Sequence, residues 1–89
     1  MRYEWDEGKR EANKLKHGVD FDRAESFDWE TALTLLDDRQ DYGEPRYIAL
    51  GRIAKRLYVM VYTVRGEAVR IIGLRKANDR EVKYYEAQT

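Results

Sequence analysis

Residues 56–86 read RLYVMVYTVRGEAVRIIGLRKANDREVKYYE, and this stretch decides the fold of the chain. Two apolar segments, Leu57 to Thr63 and Ala68 to Arg75, carry β-branched and aromatic residues on both alternating faces, as inner strands do. The connection from Val64 to Glu67 is short, and Gly66 within it can adopt the positive φ of a tight turn. The stretch therefore predicts an antiparallel pair of central strands.

A helix is predicted directly after this pair. Asn78 precedes Glu81 by three residues, which is the spacing of a capping box with Asn as the N-cap. The pattern predicts a helix that begins at about Asp79. Arg75 and Lys76 then lie where a central strand meets a helix N-terminus, whose free N–H groups favour anions.

Upstream of the hairpin, alternation and capping patterns predict five further elements. In chain order they are a short edge strand over residues 1–5, helices over residues 7–17 and 21–28, and strands over residues 31–36 and 46–51. Asp6 and Asp20 are placed to cap the two helices, and Gly18 is placed to end the first. Ala12 and Leu15 are expected to form the buried side of that first helix.

The predicted fold belongs to the α+β class. Short connections between strands favour an antiparallel four-stranded meander, with the short N-terminal strand at its edge. Two N-terminal helices and one C-terminal helix are expected to pack on one face, which gives two layers. Because the 89 residues contain no repeat and no linker, residues 1–89 are expected to form a single domain.

The charges balance, with 17 Lys and Arg against 17 Asp and Glu, so the net charge gives no support to a nucleic-acid partner. Their distribution is uneven, because acids dominate from Trp29 to Glu44 and bases from Arg46 to Arg75. The chain has no cysteine and therefore no disulfide or thiol nucleophile. No apolar run approaches the roughly 20 residues of a membrane span. We expect a cytoplasmic protein without a membrane partner.

His17 is the only histidine in the chain and is the first candidate for proton transfer. It also stands at the predicted C-terminal end of a helix, where a histidine interacts favourably with the helix dipole and the last carbonyl groups. Its position favours this structural role, and the residue pattern leaves the catalytic role open.

Two other groups of side chains have a structural interpretation. Asp37, Asp38 and Asp41 are carboxylates in one loop, but the loop lacks the glycine and terminal glutamate of a calcium-binding loop and is interpreted as solvated. Tyr58 and Tyr62 share one strand face, where aromatic residues either stack on nucleic-acid bases or cover the core. The strand pattern favours the core.

Four basic residues of the hairpin and its exit are candidates for phosphate binding, namely Arg65, Arg70, Arg75 and Lys76. With unbroken alternation, Arg70 shares a face with Leu74, and Arg75 points to the opposite face. Arg70 must then extend to solvent, pair with an acid such as Glu81, or line a concave surface. Residue type alone leaves a structural role and phosphate binding equally open.

Several short blocks of the sequence together resemble a known family. The blocks are Tyr3-Glu-Trp-Asp6, Lys16-His-Gly-Val-Asp-Phe21, Arg46-Tyr-Ile-Ala-Leu-Gly51, Val61-Tyr-Thr63 and Arg70-Ile-Ile-Gly-Leu-Arg-Lys-Ala77, followed by Glu81 and Tyr85. Their order and spacing are similar to those of the BrnT family of bacterial type II toxins. The resemblance covers nearly the whole chain.

The resemblance implies a compact RelE-like fold and a ribonuclease that halts translation. It also implies a BrnA-like antitoxin with a ribbon-helix-helix DNA-binding domain. The two proteins are then expected to assemble as a two-plus-two heterotetramer that represses its own operon, and operator DNA is contacted only through the antitoxin. No cofactor and no metal are expected.

The resemblance also favours a functional role at particular positions. His17 falls on the family's Lys-His-Gly block, Arg65 on its basic position after a strand, and Arg75 with Lys76 on its basic pair after the last strand. With Glu81, these residues form the expected catalytic set of a metal-independent endoribonuclease. Arginines hold the phosphate, Lys76 assists, and either His17 or Glu81 transfers protons. Further RNA contacts are expected from Lys14, Lys16, Arg70 and Tyr85.

The chain departs from the family pattern at two places. Gly73-Leu74 stands where family members usually carry Ser-Ala, which removes a hydroxyl group near the basic pair. Asn78 replaces the more frequent Thr and is expected to be neutral for helix capping. The first departure and the neutral net charge favour an alternative function. In it, the chain is a non-catalytic binding module that acts as co-repressor with a DNA-binding partner.

Overall fold

The computed structural model describes residues 1–89. Its elements are β1 (Arg2–Trp5), α1 (Glu7–His17), a 3-10 helix (Phe21–Ser26), β2 (Leu33–Asp37), β3 (Arg46–Ile53), β4 (Arg56–Arg65), β5 (Ala68–Lys76) and α2 (Asp79–Gln88). The strands form one sheet in the order β1-β5-β4-β3-β2. The α+β class and the antiparallel meander from β2 to β5 are confirmed.

The sheet is nevertheless mixed and five-stranded, and not a purely antiparallel sheet of four strands. β1 pairs in parallel with β5, the last strand in the sequence. A parallel pair needs a long crossover connection. Here the helical segments and the strands of the meander lie between β1 and β5, so this long-range pairing leaves no signal in the local sequence.

The predicted turn and caps of the long elements are present. Gly66 has a φ of +60° in the two-residue turn between β4 and β5. The Asp6 carboxylate accepts a hydrogen bond from the Lys9 N–H at 3.0 Å, and Asn78 forms a capping box with Glu81. No helix of the chain is long and apolar enough to cross a membrane.

Helices cover both faces of the sheet, so the fold has three layers and the predicted two-layer arrangement is wrong. The 3-10 helix lies on one face over the larger core cluster, and α1 packs next to it against β5; we call this side of the sheet the α1 face. α2 lies on the other, the α2 face, where Tyr85 and Ala77 pack in a smaller cluster with Leu50, Leu57 and Val59. Apolar residues on both faces of β3 and β4 require this second cover.

The second predicted helix is shorter and tighter than expected. It is a 3-10 helix that ends at Ser26, where an α-helix to Asp28 was predicted. Phe21, Ala24 and Phe27 recur every third residue, and all three are buried. Because side chains three residues apart lie directly above one another in a 3-10 helix, this spacing places all three on the sheet.

α1 contacts the sheet through a polar residue, not through its apolar ones. Leu15 is 89% exposed and Ala12 is also exposed, so the prediction that they form the buried side is wrong. Asn13 is the buried residue of the helix. Its amide donates to the Leu74 carbonyl at 2.7 Å and accepts from the Leu74 N–H at 3.2 Å. The end of β1 at Trp5 leaves this part of the β5 edge open.

Candidate functional site

A β-bulge in β5 determines which basic side chains lie together. The pairing of β5 with β4 shifts register next to Val61, so Ile72 is an extra residue in its strand. The bulge reverses the alternation of the residues that follow it. Arg70 and Arg75 consequently lie on the same α2 face. The prediction that they point to opposite faces is wrong, because it assumed unbroken alternation.

Five arginines surround the part of the α2 face beside the helix, and we call this surface the arginine face. Each has an acidic or aromatic neighbour within the chain. The pairs are Arg39 with Asp37, Arg46 with the Tyr42 ring, Arg65 with Glu44, Arg70 with Glu4, and Arg75 with Glu81. These neighbours offset part of the arginine charge, and paired hydrogen bonds fix the guanidinium groups of Arg39 and Arg75 in position.

Arg75 and Glu81 form the best-aligned pair near the candidate site. The guanidinium donates from Nη1 to Oε1 at 2.8 Å and from Nη2 to Oε2 at 2.7 Å. Glu81 also accepts a hydrogen bond from the Asn78 N–H at 2.9 Å. These hydrogen bonds lower the pKa of Glu81, and the carboxylate raises the pKa of Arg75. The suggested pairing of Arg70 with Glu81 is not formed, because the bulge brings Arg75 to this carboxylate.

His17 lies at one end of a groove between α1 and the open edge of β5. The groove has a volume of about 300 Å³. Its lining includes Lys9, Lys16, His17 and Gly73. Partial burial of the imidazole, followed by the charges of Lys16 and Arg75, lowers the pKa of His17. The residue is exposed, and its imidazole forms no hydrogen bond within the chain that would fix its orientation.

The structure brings three of the five expected catalytic residues to one end of the sheet. Arg75 and Glu81 are in contact, and His17 lies within reach of the Arg75 charge. Lys76 is adjacent in sequence and exposed, but it pairs with Tyr58 and so projects to the α1 face. Arg65 pairs with Ala68 at the hairpin turn, about 20 Å along the strands from Arg75.

The four expected RNA-contacting residues have different surroundings. Lys16 lines the α1–β5 groove, and Lys14 is exposed but lies 3.7 Å from an Asp20 carboxylate oxygen. Arg70 is part of the arginine face and lies 3.7 Å from Glu4. Tyr85 is only 4% exposed, and its hydroxyl donates to a backbone carbonyl of the chain. Tyr85 is thus a core residue with no surface open to RNA.

Other side chains of the site were not identified from the sequence. Arg39 follows β2 in a polar loop. Its positive charge acts to lower the pKa of Arg75. Arg39 donates to Asp37 at 2.7 and 2.8 Å. The Asp37 side chain is fully buried, so the interpretation of this loop as solvated is wrong at this residue. No cluster of three or more potential metal-ligating side chains occurs in the chain.

Tyr58 and Tyr62 are 4% and 7% exposed and belong to the core of the α1 face, which confirms their structural interpretation. The open surfaces around the candidate site are thus the groove and the arginine face. Both carry cationic side chains that suit a phosphodiester backbone.

Acidification is expected to destabilise the fold between about pH 5 and pH 2. Hydrogen bonds from Arg39 lower the pKa of Asp37 to about 2, and arginine partners also lower those of Asp20 and Glu81. A carboxyl whose pKa is lower in the folded state stabilises it above its unfolded pKa, near 4, and loses this effect as the pH falls. Urea unfolding at several pH values in this range measures how steeply the free energy of unfolding decreases as the pH falls. Asp37→Asn should make this dependence shallower. A stability independent of pH would contradict these ion pairs.

This α+β domain carries clustered arginines on its sheet and a histidine in a neighbouring groove, which are groups that can stabilise phosphate charge and transfer protons. The family model described as the ribonuclease toxin BrnT, of type II toxin-antitoxin systems, matches residues 5–81. The chain belongs to this family of ribonuclease toxins, and a toxin of this type has an antitoxin partner. No curated protein shows a significant match to the chain.

Proposed function

We propose that this chain is a metal-independent endoribonuclease that cleaves RNA where α1, β5 and α2 meet, and so halts translation in the cytoplasm. The family supplies the general activity. The observation that carries the proposed position is the Arg75 guanidinium, which two hydrogen bonds to Glu81, at 2.7 and 2.8 Å, hold in place. The charge of Arg75 also contributes to the lowered pKa of His17. The groove between α1 and β5 supplies Lys9 and Lys16 for the neighbouring phosphates.

The proposed reaction starts from the 2′-hydroxyl of the ribose. Neutral His17 accepts its proton while the oxygen attacks the adjacent phosphorus, and the bond to the 5′-oxygen breaks. The products are a 2′,3′-cyclic phosphate and a 5′-hydroxyl, which takes its proton from water or from protonated His17. Negative charge increases on the phosphate oxygens in the transition state, and Arg75 is positioned to stabilise it.

Glu81 fits a positioning role better than a proton-transfer role. Both of its oxygens accept hydrogen bonds from Arg75, and one of them also accepts from the Asn78 N–H. Its lowered pKa keeps it ionised and weakly basic near neutral pH. We therefore propose that Glu81 orients Arg75. Lys76, Arg65 and Arg70 then bind the RNA strand at phosphates other than the one that is cleaved.

Replacing the histidine tests the proposed base. His17→Gln is expected to slow cleavage about 100-fold, at the low end for a general base, because electrostatic stabilisation by Arg75 remains. Wild-type cleavage should rise with pH up to the lowered pKa of His17, below 6.5, and then level off. The variant should lose this rise. Single-turnover rates from pH 4.5 to 8 measure both, and an unchanged profile in His17→Gln would assign the proton transfer to another group.

A second function is favoured by one observation. All five arginines of the arginine face already have partners within the chain, as they would in a docking module that only serves as co-repressor. Expression of the chain alone separates the two functions. A ribonuclease toxin arrests growth, Arg75→Ala at equal abundance does not, and co-expressed antitoxin restores growth. Harmless expression of folded wild type would support the docking module.

We further propose a BrnA-like antitoxin with a ribbon-helix-helix domain, joined to the toxin in a two-plus-two heterotetramer. The balanced net charge of the chain supports contact with operator DNA through the antitoxin alone. The mass of the co-purified complex and its binding to operator DNA, with the toxin alone as comparison, test this arrangement.

A further inference from the structure

An apolar groove lies on the α1 face, at the end of the sheet that the 3-10 helix leaves uncovered. It has a volume of about 320 Å³. Six residues line it, namely Thr34, Leu35, Leu36, Tyr47, Tyr62 and Val64. Leu36 is 60% exposed and Val64 is 54% exposed, which makes them two of the most exposed large apolar residues of the chain. Neither residue belongs to the arginine face or to the α1–β5 groove.

The groove borders the unpaired outer edge of β2. This strand is the last in the sheet, and no backbone hydrogen bond outside the helices and strands uses residues 33–37. An open edge with exposed leucines is a template for another strand, and proteins normally shield or cover it. Tyr47, which lines the groove, is only partly buried and so presents part of its ring to a ligand.

The surroundings of this edge are strongly acidic. Residues 28–44 contain six carboxylates and one arginine. Asp37 and Glu44 form ion pairs, whereas Asp28, Glu30, Asp38 and Asp41 form none. All four unpaired carboxylates lie on exposed residues. Together with β2 and the groove we call this region the acidic edge.

We propose that the antitoxin docks on the acidic edge through a basic, amphipathic, extended segment that pairs with β2 as a sixth strand. This inference rests on the proposed toxin function. Alternate apolar side chains of the segment enter the groove beside Leu36, and its lysines or arginines face the unpaired carboxylates. Strand addition supplies affinity from the main chain, and the groove supplies specificity.

The acidic charge of this edge also disfavours a second copy of the chain as the occupant. Antiparallel pairing of two β2 edges places the loop of residues 38–44 of one copy beside residues 28–32 of the other. Asp38 and Asp41 then approach Asp28 and Glu30, and like charges in an interface oppose association. A basic partner removes this repulsion.

Docking here has a consequence for inhibition. The groove lies on the α1 face, whereas Arg75 lies on the α2 face. A segment in the groove therefore anchors the antitoxin without covering the proposed catalytic arginine. Neutralisation then requires a second part of the antitoxin that passes around the sheet.

Titration calorimetry without RNA tests the docking site with the purified BrnA-like antitoxin proposed above. Leu36→Glu is expected to weaken binding at least 30-fold, as for an anchor residue of an interface. Leu15→Glu makes the same change at an exposed leucine of α1, and its affinity should stay within about 2-fold of wild type. The Glu30→Lys, Asp38→Lys double variant should bind about 10-fold more weakly, with less salt dependence. Amide exchange of residues 33–37 should slow in the complex.

Wild-type affinity in Leu36→Glu, or unprotected amides in residues 33–37, would overturn the docking site. A chain that dimerises without antitoxin, and becomes monomeric as Leu36→Glu, would also overturn it by placing a second copy at the edge. The binding assay contains no RNA, so its outcome is independent of catalysis. Antitoxin binding that depends on Leu36, together with failure to cleave RNA, would reject the ribonuclease proposal alone.

Discussion

Arg75→Ala is expected to slow RNA cleavage by about 100- to 1000-fold, the largest effect of any single substitution at the proposed site. Removal of one preorganised group that stabilises transition-state charge typically costs this much. The guanidinium is held in place by two hydrogen bonds to Glu81 before RNA binds, so little reorganisation is required. The loss should fall mainly on the cleavage step. Single-turnover rates at saturating enzyme measure it directly.

Control variants separate catalysis from folding. Arg75→Ala leaves Glu81 without its partner, so the melting temperatures of the variant and the wild type must be compared. Arg2→Ala removes an exposed arginine of β1 that pairs with Ala68, at the opposite end of β5 from Arg75, and should cleave at close to the wild-type rate. Glu81→Gln keeps the Arg75 charge but weakens the hydrogen bonds that orient the guanidinium. Its cleavage rate should lie between those of Arg75→Ala and Arg2→Ala. Full activity in folded Arg75→Ala would refute the assignment.

Asn13→Ala is expected to destabilise the fold by about 3 kcal/mol. The buried amide donates to the carbonyls of Val19 and Leu74 and accepts from the Leu74 N–H. Its removal leaves these three backbone groups without their partner, and each buried unsatisfied group costs about 1 kcal/mol or more. Such a loss is a large share of the stability of a small domain.

Urea unfolding measures this effect, with Glu11→Ala as the control because Glu11 is an exposed residue of the same helix. The control should change the free energy of unfolding by less than about 0.5 kcal/mol. An equally small effect of Asn13→Ala would mean that α1 is held to β5 by other contacts. The proposed position of His17 at the β5 edge would then lose its main support.

The parts of the fold encoded in short stretches of sequence were predicted well. α1 begins after Asp6 and ends before Gly18, and α2 begins after Asn78, whose capping box includes Glu81. These caps were predictable because a cap depends only on residues three or four positions apart. The antiparallel hairpin likewise depends on two adjacent strands and Gly66. These local signals therefore gave nearly correct boundaries.

The long-range features were not predicted. The bulge at Ile72 shifts the register of β5 against β4, whereas the prediction assumed unbroken alternation and placed Arg70 and Arg75 on opposite faces. α1 uses Asn13 to pair with a free strand edge, and a search for an apolar stripe selected Leu15 instead. Contacts between residues that are distant in sequence decided both features.

The same limit applies to the candidate site. The pattern around residues 75–81 correctly placed a basic pair beside a capped helix, but it did not reveal that Arg75 and Glu81 bond each other. Arg39 was missed because its loop shows no periodicity, and only the folded sheet brings its charge near Arg75. The family resemblance selected His17, whose place beside β5 depends on how α1 docks.

The central claim is that the chain itself cleaves RNA without a metal ion, at the end of β5. Incubation of end-labelled RNA with the purified chain in EDTA tests it most directly, with the Arg75→Ala, Lys76→Ala double variant beside it. The wild type is expected to yield fragments with 2′,3′-cyclic phosphate ends, in an amount that EDTA does not reduce. A double variant that melts like the wild type is expected to yield almost none. Cleavage abolished by EDTA, or equal cleavage by both proteins, would contradict it.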